Sequence, residues 1–408
     1  MKIIRAYKTE LDPSNKQRTV LVRHAGAARW AYNFGLRRKI ESFKETGKSP
    51  SAIDLHRELN LLKKKPSQEG GVPWMYSLSK CAPQEALRHL DRAFSHFFRR
   101  CKDRSQQKGF PRFKSRKQGI GAFTLTGAIR ATETHIQLPR IGLLRLKEHG
   151  YFPLKDAKVL SASISEKAGR WFISLQVEQD VPDFTPRNSP MLGVDVGIKN
   201  LAVTSDGDVF ENPKTLRKAE EHLRRLQKSV SRKVKGSNNR KKAVAKVARQ
   251  HSRISNVRRN ALHQVSNSIT KSCGIVVLET LNVAGMVKNH RLSKALSDAS
   301  LSELHRQIEY KARWRGVHVV KAGRWFPSSK TCSGCGSVKA NLNLSEWEYE
   351  CENCGLVIDR DLNAAVNLKN LAGSFSVTAC GEISSGFLLE TKLASMKQEP
   401  DTGYLRAG

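Results

Sequence analysis

The sequence lacks acid where it is most basic: from residue 222 to residue 278 there is no Asp or Glu at all. It also lacks any apolar run of about 18 residues, the length at which a helix begins to be read as membrane-spanning, so no membrane partner is expected. The opening MKIIRAYKTELDPSN shows no n-region and h-region of a secretory signal, which points to a cytosolic or nucleoid-associated protein. Cysteine is too sparse for a disulfide scaffold, with eight in 408 residues. Four of these form two CxxC pairs, while Cys81, Cys101, Cys273 and Cys380 are scattered and read as ordinary thiols. A His-x-His pair is absent too, which argues against a tyrosine-type single-strand transposase.

What is present is basic charge and enough chain for two to four domains, each able to bury its own core. There are 72 Lys and Arg against 37 Asp and Glu, a formal charge of +35. An excess of this size keeps a compact fold in self-repulsion until a polyanion neutralises it, and nucleic acid is the polyanion that fits. The stretch from Arg224 to Arg259 alone carries fourteen Lys and Arg. Its apolar positions still recur at helical spacing, with Leu216, Leu223, Leu226 and Val230 before KGSNN (235–239) and Val244, Val247, Ile254, Val257, Leu262, Val265 and Ile269 after it. The pattern predicts a helical hairpin with no acidic partners for ion pairing, suited to a phosphate backbone.

Upstream, MKIIRAYKTELDPSN reads as a strand, SNKQRTVLVRHAGAARWAYNFGLRRKIESFKETG as a long helix closed by Gly47, and QEALRHLDRAFSHFFRRCKD as a second helix. Its Leu87, Leu90, Phe94 and Phe97 or Phe98 stripe is core by preference over a base-stacking platform. From residue 109 the apolar period becomes two, with EKAGRW as a hairpin turn, so a small β domain is split by inserted helices. TPRNSP (185–190) reads as a linker.

In MLGVDVGIKNLAVTSDGDVFEN, alternation puts Leu192, Val194, Val196 and Ile198 on one strand face and Gly193, Asp195 and Gly197 on the other. Glycine weakens a strand unless something approaches the backbone closely, and a carboxylate beside it needs a partner such as a cation. The strand continues through LAVTS, turns at Asp206-Gly207 and returns as a meander. After the basic hairpin, GIVVLETLNV is the apolar run of a parallel strand buried on both faces, ending on Glu279. Helical sequence and a fifth strand, VHVVKAG, follow. This is the element order of an RNase H-like fold, in which the first and fourth strands are neighbours and Asp195 meets Glu279. A final helix starting near Asp359 supplies the third acid, Asp361, with Ala364, Ala365 and Leu368 turned to the sheet. Asp359 is either an alternative third ligand or an N-cap. Three such carboxylates repel unless cations sit between them, and Mg²⁺ suits their hard oxygens. Two such ions about 4 Å apart can drive in-line phosphodiester hydrolysis. A DDE-type transposase shares the fold but has Asp on the fourth strand and Glu on the last helix, the reverse of this chain.

Cys332, Cys335, Cys351 and Cys354 read CxxC-x15-CxxC, with Gly after the second cysteine of each pair. This is the pattern of one structural zinc held by four thiolates. The ribbon interrupts the nuclease fold just ahead of Asp361, whose position it is expected to fix.

GVDVGIKNLAVTSDG, VVLETLNVAGM and CSGCG…CENCG…DRDLNAAVNL, with GFPRFKS and ARWAYN upstream, resemble TnpB, the bacterial insertion-sequence family similar to the ancestors of type V CRISPR effector nucleases. The resemblance runs over nearly the whole chain. It implies a mixed α/β and β multidomain protein, with an N-terminal wedge β-barrel (1–12 and 109–185) carrying an inserted helical recognition domain (13–108). A RuvC-like nuclease domain (190–330 and 359–373) would follow, interrupted by the basic hairpin and a zinc ribbon (331–358), then a flexible tail (374–408). It further implies a guide RNA transcribed from the element's end and cleavage of double-stranded DNA beside a short target-adjacent motif. Asp195, Glu279 and Asp361 would be the catalytic, Mg²⁺-binding carboxylates. Two other readings stay open: a nuclease-inactive RNA-guided DNA-binding regulator, and a RuvC-like nuclease that recognises DNA structure without RNA. Arg29, Asn33, Arg112 and Lys114 are candidate nucleic-acid contacts that are equally consistent with simple solvation, and oligomeric state is open.

Overall fold

The computed structural model describes residues 2–103, 109–153, 157–181, 190–343 and 346–373. The chain forms two compact units that divide between Asp183 and Phe184. The expected linker, except Pro190, and the expected tail at 374–408 lie outside the described residues.

The first unit contains β1 (Lys2–Asp12), α1 (Asn15–Thr46), α2 (Ala52–Lys64), α3 (Cys81–Lys102) and the strands β2 (Ala122–Leu125), β3 (Arg130–Ala131), β4 (His135–Leu138), β5 (Gly142–Leu146), β6 (Ala157–Lys167) and β7 (Arg170–Asp180). Ser14 caps α1 through a reciprocal pair with Gln17, and Gly47 ends it in the left-handed region at φ 70°. The sequence reading missed α2, although Ser51 and Asp54 form a capping box and Leu55 and Leu59 fall one turn apart, both buried. Helices α1 and α3 cross closely at Gly35, where a Cβ would lie 2.7 Å from a Leu87 methyl. The seven strands run in the order β2-β6-β7-β1-β5-β4-β3. Among the described residues no pairing joins the edges β2 and β3, so the closure of a barrel is not part of the observed ladder. Trp171, Ile173, Leu175 and Val177 alternate inward along β7, and helices and sheet share one core. In α3, Leu87 and Leu90 are buried in that core as expected, whereas Phe98 is exposed.

The second unit is built on β8 (Met191–Asp195), β9 (Asn200–Thr204), β10 (Val209–Glu211), α4 (Thr215–Ser231), α5 (Asn238–Ser272), β11 (Ile275–Leu278), α6 (Val283–Met286), α7 (His290–Ala299), α8 (Leu301–Arg315) and β12 (His318–Lys321). It closes with the ribbon strands β13 (Glu348–Glu350) and β14 (Val357–Asp359) and the helix α9 (Arg360–Gly373). The main sheet has the order β10-β9-β8-β11-β12, antiparallel through the meander and parallel from β8 to β12. The first and fourth strands are therefore neighbours, as the element order requires. Strand β8 ends at Asp195, so Gly197 and Ile198 belong to the turn into β9 and not to a strand face. Leu192, Val194, Val276 and Leu278 pack on the α5 and α8 side, while Val277 shares a second small core with Leu368 of α9. No described helix is long and apolar enough to cross a membrane.

Candidate active site

Two strand ends bring the first two acids together. In the parallel pair β8–β11, Leu278 is in register with Val194, so Glu279 and Asp195 are the next residues in step at the carboxyl ends of the strands. The Glu279 carboxyl is a near neighbour of Asp195. Burial, followed by this neighbour, holds the Asp195 carboxyl well above its usual range. Asp361, in the first turn of α9, is also pushed up, first by burial and then by Asp195 and Asp359, against the opposing charge of Arg360 and Lys199. Asp359 serves as the cap: its Oδ1 accepts from the backbone N–H groups of Asp361 and Leu362 at 2.9 and 3.1 Å. The cap uses one Asp359 oxygen, and Asp359 also helps to raise Asp195, so both acids of the helix start, Asp359 and Asp361, lie near the strand pair. Half-buried carboxylates brought together in this way are a donor set suited to a hard divalent cation. The trio is looser than the cysteine cluster. Among the described residues only the four cysteines have all their ligand atoms within 4.8 Å of one another.

The helix bearing Asp361 lies directly against the strand bearing Asp195. A Cβ at Gly193 would stand 2.0 Å from the Ala365 carbonyl oxygen and 2.6 Å from the Lys369 nitrogen, so glycine is the residue that admits the α9 backbone there. Ala364, Ala365 and Leu368 are buried on that face of the helix.

The ribbon supplies a second hold on α9. Cys332 and Cys354 have their Sγ atoms 3.6 Å apart, as do Cys335 and Cys351. A tetrahedral zinc with sulfur at about 2.3 Å places its ligands about 3.8 Å apart, so the four thiols fit the ion. Each knuckle turns through a glycine in the left-handed region, Gly336 at φ 76° and Gly355 at φ 70°, whose N–H groups donate to Cys332 and Cys351. The Ser337 backbone N–H and the Asn353 amide hold the Cys335 thiol down to about 6, close to its ligating form.

From α9, the buried Asn363 accepts from the Ser333 N–H at 2.9 Å and donates to the Thr331 carbonyl at 2.7 Å. Asn367, one turn on, donates to the Ser328 and Thr331 carbonyls. These asparagines were not singled out in the sequence; their i,i+4 spacing was the available signal. Loss of the Asn367 amide leaves the Ser328 carbonyl without this donor, while Thr331 keeps Asn363, so Asn367→Ala should lower stability by about 1–3 kcal/mol. Thermal unfolding checks this, and metal analysis should still find one zinc. An unchanged melting curve would mean that the ribbon is not fastened here.

A third tie was also missed. Trp347 of the ribbon has Lys199 Nζ 4.2 Å and Arg360 Cζ 5.2 Å from its ring centre, and its carbonyl accepts from the Arg360 N–H. The ribbon thus holds two cations that oppose the charge of Asp361.

Family models match in three places. Residues 174–290 match the IS605-type OrfB model described as "Probable transposase", residues 302–368 a "Cas12f1-like, TNB domain", and residues 1–48 a "Helix-turn-helix domain". In the last span the described residues hold a strand, β1, and a single helix, α1. Over 412 residues the chain is 36% identical to a "Putative RNA-guided DNA endonuclease" of Streptomyces pristinaespiralis, covering 97% of this chain and 96% of the relative. The chain belongs to the TnpB family. It is also 32% identical over 419 residues to "Putative RNA-guided DNA endonuclease InsQ" of Escherichia coli (strain K12), covering 98% of each. Among solved structures, that of the "mini-RNA-guided endonuclease CRISPR-Cas_phi3" aligns with a TM-score of 0.46 at 9% identity, over 91% of this chain and 92% of the other.

In this TnpB chain the basic stretch is the expected helical pair, α4 and α5, joined at 232–237. Leu223, Ile254, Leu262, Val265 and Ile269 are buried as predicted, but Val244 and Val257 are exposed. The expectation that these helices gain nothing from ion pairs needs correction. Asp298 of α7 lies 2.6 Å from Arg258 and accepts from the Leu216 and Arg217 N–H groups, and Glu220 meets Lys294 at 2.6 Å and Arg224 at 3.6 Å. The acids come from outside the run. Arg225, Lys228, Lys241, Lys242, Lys246, Arg249 and Arg253 remain exposed, which keeps the surface suited to a polyanion.

Three of the four candidate contacts in the first unit have structural duties. Arg29 donates to the Ile120 carbonyl at 2.9 Å. Asn33 pairs with the backbone of Lys114 in both directions, at 2.9 and 2.8 Å, and Lys114 Nζ sits 3.8 Å from the centre of the Tyr32 ring. The two upstream motifs ARWAYN and GFPRFKS therefore meet each other. Arg112 is exposed.

Proposed function

We propose that this chain is an RNA-guided DNA endonuclease that cuts double-stranded DNA beside a short target-adjacent motif. The observation that carries the chemistry is the register that sets Glu279 beside Asp195, with Asp361 presented to them by a helix seated on Gly193. In this reading the second unit is an RNase H-like, RuvC-type nuclease (190–330 and 359–373) with a zinc ribbon at 331–358. The first unit supplies the wedge (1–12 and 109–185) and recognition (13–108) elements. Asp195, Glu279 and Asp361 hold Mg²⁺, which when bound supplies an activated water and charge neutralisation at the phosphate. The chain's own contributions are the fixed separation of the two strand acids, the capped helix start that orients Asp361, and the Lys199 and Arg360 cations at its rim. Base pairing with the guide carries most of the sequence specificity, and the protein reads backbone shape through its basic surface. A nuclease-inactive regulator is the weaker alternative, because all three acids are present and the strand pair is assembled.

The test is to express the gene with its native downstream flank, purify the protein at moderate salt and sequence the RNA it retains. A discrete RNA with a constant scaffold and a variable 3′ end is expected. Absence of any defined RNA would contradict the guided reading and favour a nuclease that reads DNA structure directly.

A further inference from the structure

Trp325 is 84% exposed, more than any other large apolar side chain among the described residues. A single exposed indole is ordinary on a protein surface, but this one stands on a loop held at both ends. On one side, the buried Ala322 donates its N–H to the Leu278 carbonyl at 2.8 Å and accepts from Thr280 Oγ1 at 2.7 Å, so it is bonded to both chain neighbours of Glu279. On the other, Phe326 donates to the Gly323 carbonyl at 3.0 Å and packs with Val277, Ala322 and Leu368. Between these anchors Arg324 places its guanidinium carbon 5.0 Å from the centre of the Trp325 ring. An aromatic face with a cation against it is the chemistry that binds single-stranded nucleic acid, because every base has a π face.

We propose that Trp325 stacks on a base of the DNA strand being cut and positions that strand at the carboxylates. Three residues of chain from Ala322 reach at most about 10 Å, and the indole and the acid side chains add about as much again, so the base lies within roughly six nucleotides of the scissile phosphate. A paired duplex keeps its base faces covered by stacking. The occupant is therefore a base that has left the stack or lies at the end of one. This inference rests on the endonuclease reading.

The experiment uses the full chain with its guide RNA and a guide-matched duplex under single-turnover conditions. It compares wild type, Trp325→Ala and Trp325→Phe on DNA carrying single abasic sites at each position within about six nucleotides of the cut. Trp325→Ala should cut about tenfold more slowly, as expected for loss of one base–aromatic stack, with unchanged thermal unfolding. Trp325→Phe should restore most of the rate. One abasic position should slow the wild type to a similar extent and leave Trp325→Ala unaffected. Wild-type speed in Trp325→Ala, or slowing of that variant by every abasic site to the same extent as the wild type, would overturn the stack. A readout that needs no cutting is the quenching of protein fluorescence by oligothymidylate, which should be smaller in Trp325→Ala than in the wild type. If the wild-type complex binds matched DNA without cutting it, the endonuclease reading fails, and the quench still decides Trp325: equal quenching in both proteins overturns the proposal.

Discussion

Asp195→Ala should abolish metal-dependent cutting while leaving RNA and DNA binding intact. The physical reason is that burial and the Glu279 carboxyl both disfavour the charge of Asp195, a penalty that a bound cation would offset. If Asp195 is a metal ligand as proposed, its removal forfeits several kcal/mol of transition-state charge stabilisation, which corresponds to a rate loss of at least about 10³-fold. Binding should persist because it rests on the basic surface. The strand itself should tolerate alanine, since Asp195 lies at its end and the change removes a buried like-charge contact. Single-turnover cleavage and gel-shift affinity, measured side by side, separate the two effects. A variant that still cuts at a comparable rate would refute the site assignment.

Gly193→Ala should be nearly as damaging, although it adds a single methyl and touches no acid. That methyl would meet the Ala365 carbonyl oxygen and the Lys369 nitrogen, both backbone atoms that no rotamer change can move aside. Helix α9 must shift, and Asp361 shifts with it. Overpacking of this kind costs about 1–3 kcal/mol of stability. A displacement of about 1 Å at a reacting group costs on the order of 10²-fold in rate. The comparison variant is Gly26→Ala, where the new methyl meets nothing within 4 Å and the helix of residues 15–46 should gain up to about 1 kcal/mol. Thermal unfolding of both proteins, with the cleavage rate of Gly193→Ala, checks the pair. Wild-type rate and stability in Gly193→Ala would mean that α9 has room the structure does not show.

The parts legible in the sequence were those carried by short-range pattern. The apolar run ending at Glu279 and the glycine-flanked Asp195 placed two acids on adjacent parallel strands, and the register agrees. Glycine at 193 was read as a close approach to the backbone; what approaches is the α9 backbone. The knuckle glycines 336 and 355 followed from turn chemistry. What stayed hidden depends on partners distant in the chain. Asn363 and Asn367 look like the polar face of an amphipathic helix, because the carbonyls they serve are more than thirty residues upstream. Asp298, which caps one basic helix and pairs with an arginine of the next, lies outside the acid-free run that drew attention. The helix at 52–64 was overlooked despite its own capping box, because it is short and lies between two much longer helices.

The most direct test of the central claim is cleavage of a guide-matched duplex against the same duplex with a mismatched guide, in Mg²⁺, with the purified protein–RNA complex. Double-strand cutting that requires the match and the metal, at a fixed position relative to the adjacent motif, is the predicted result. Cutting that is indifferent to the guide would contradict it.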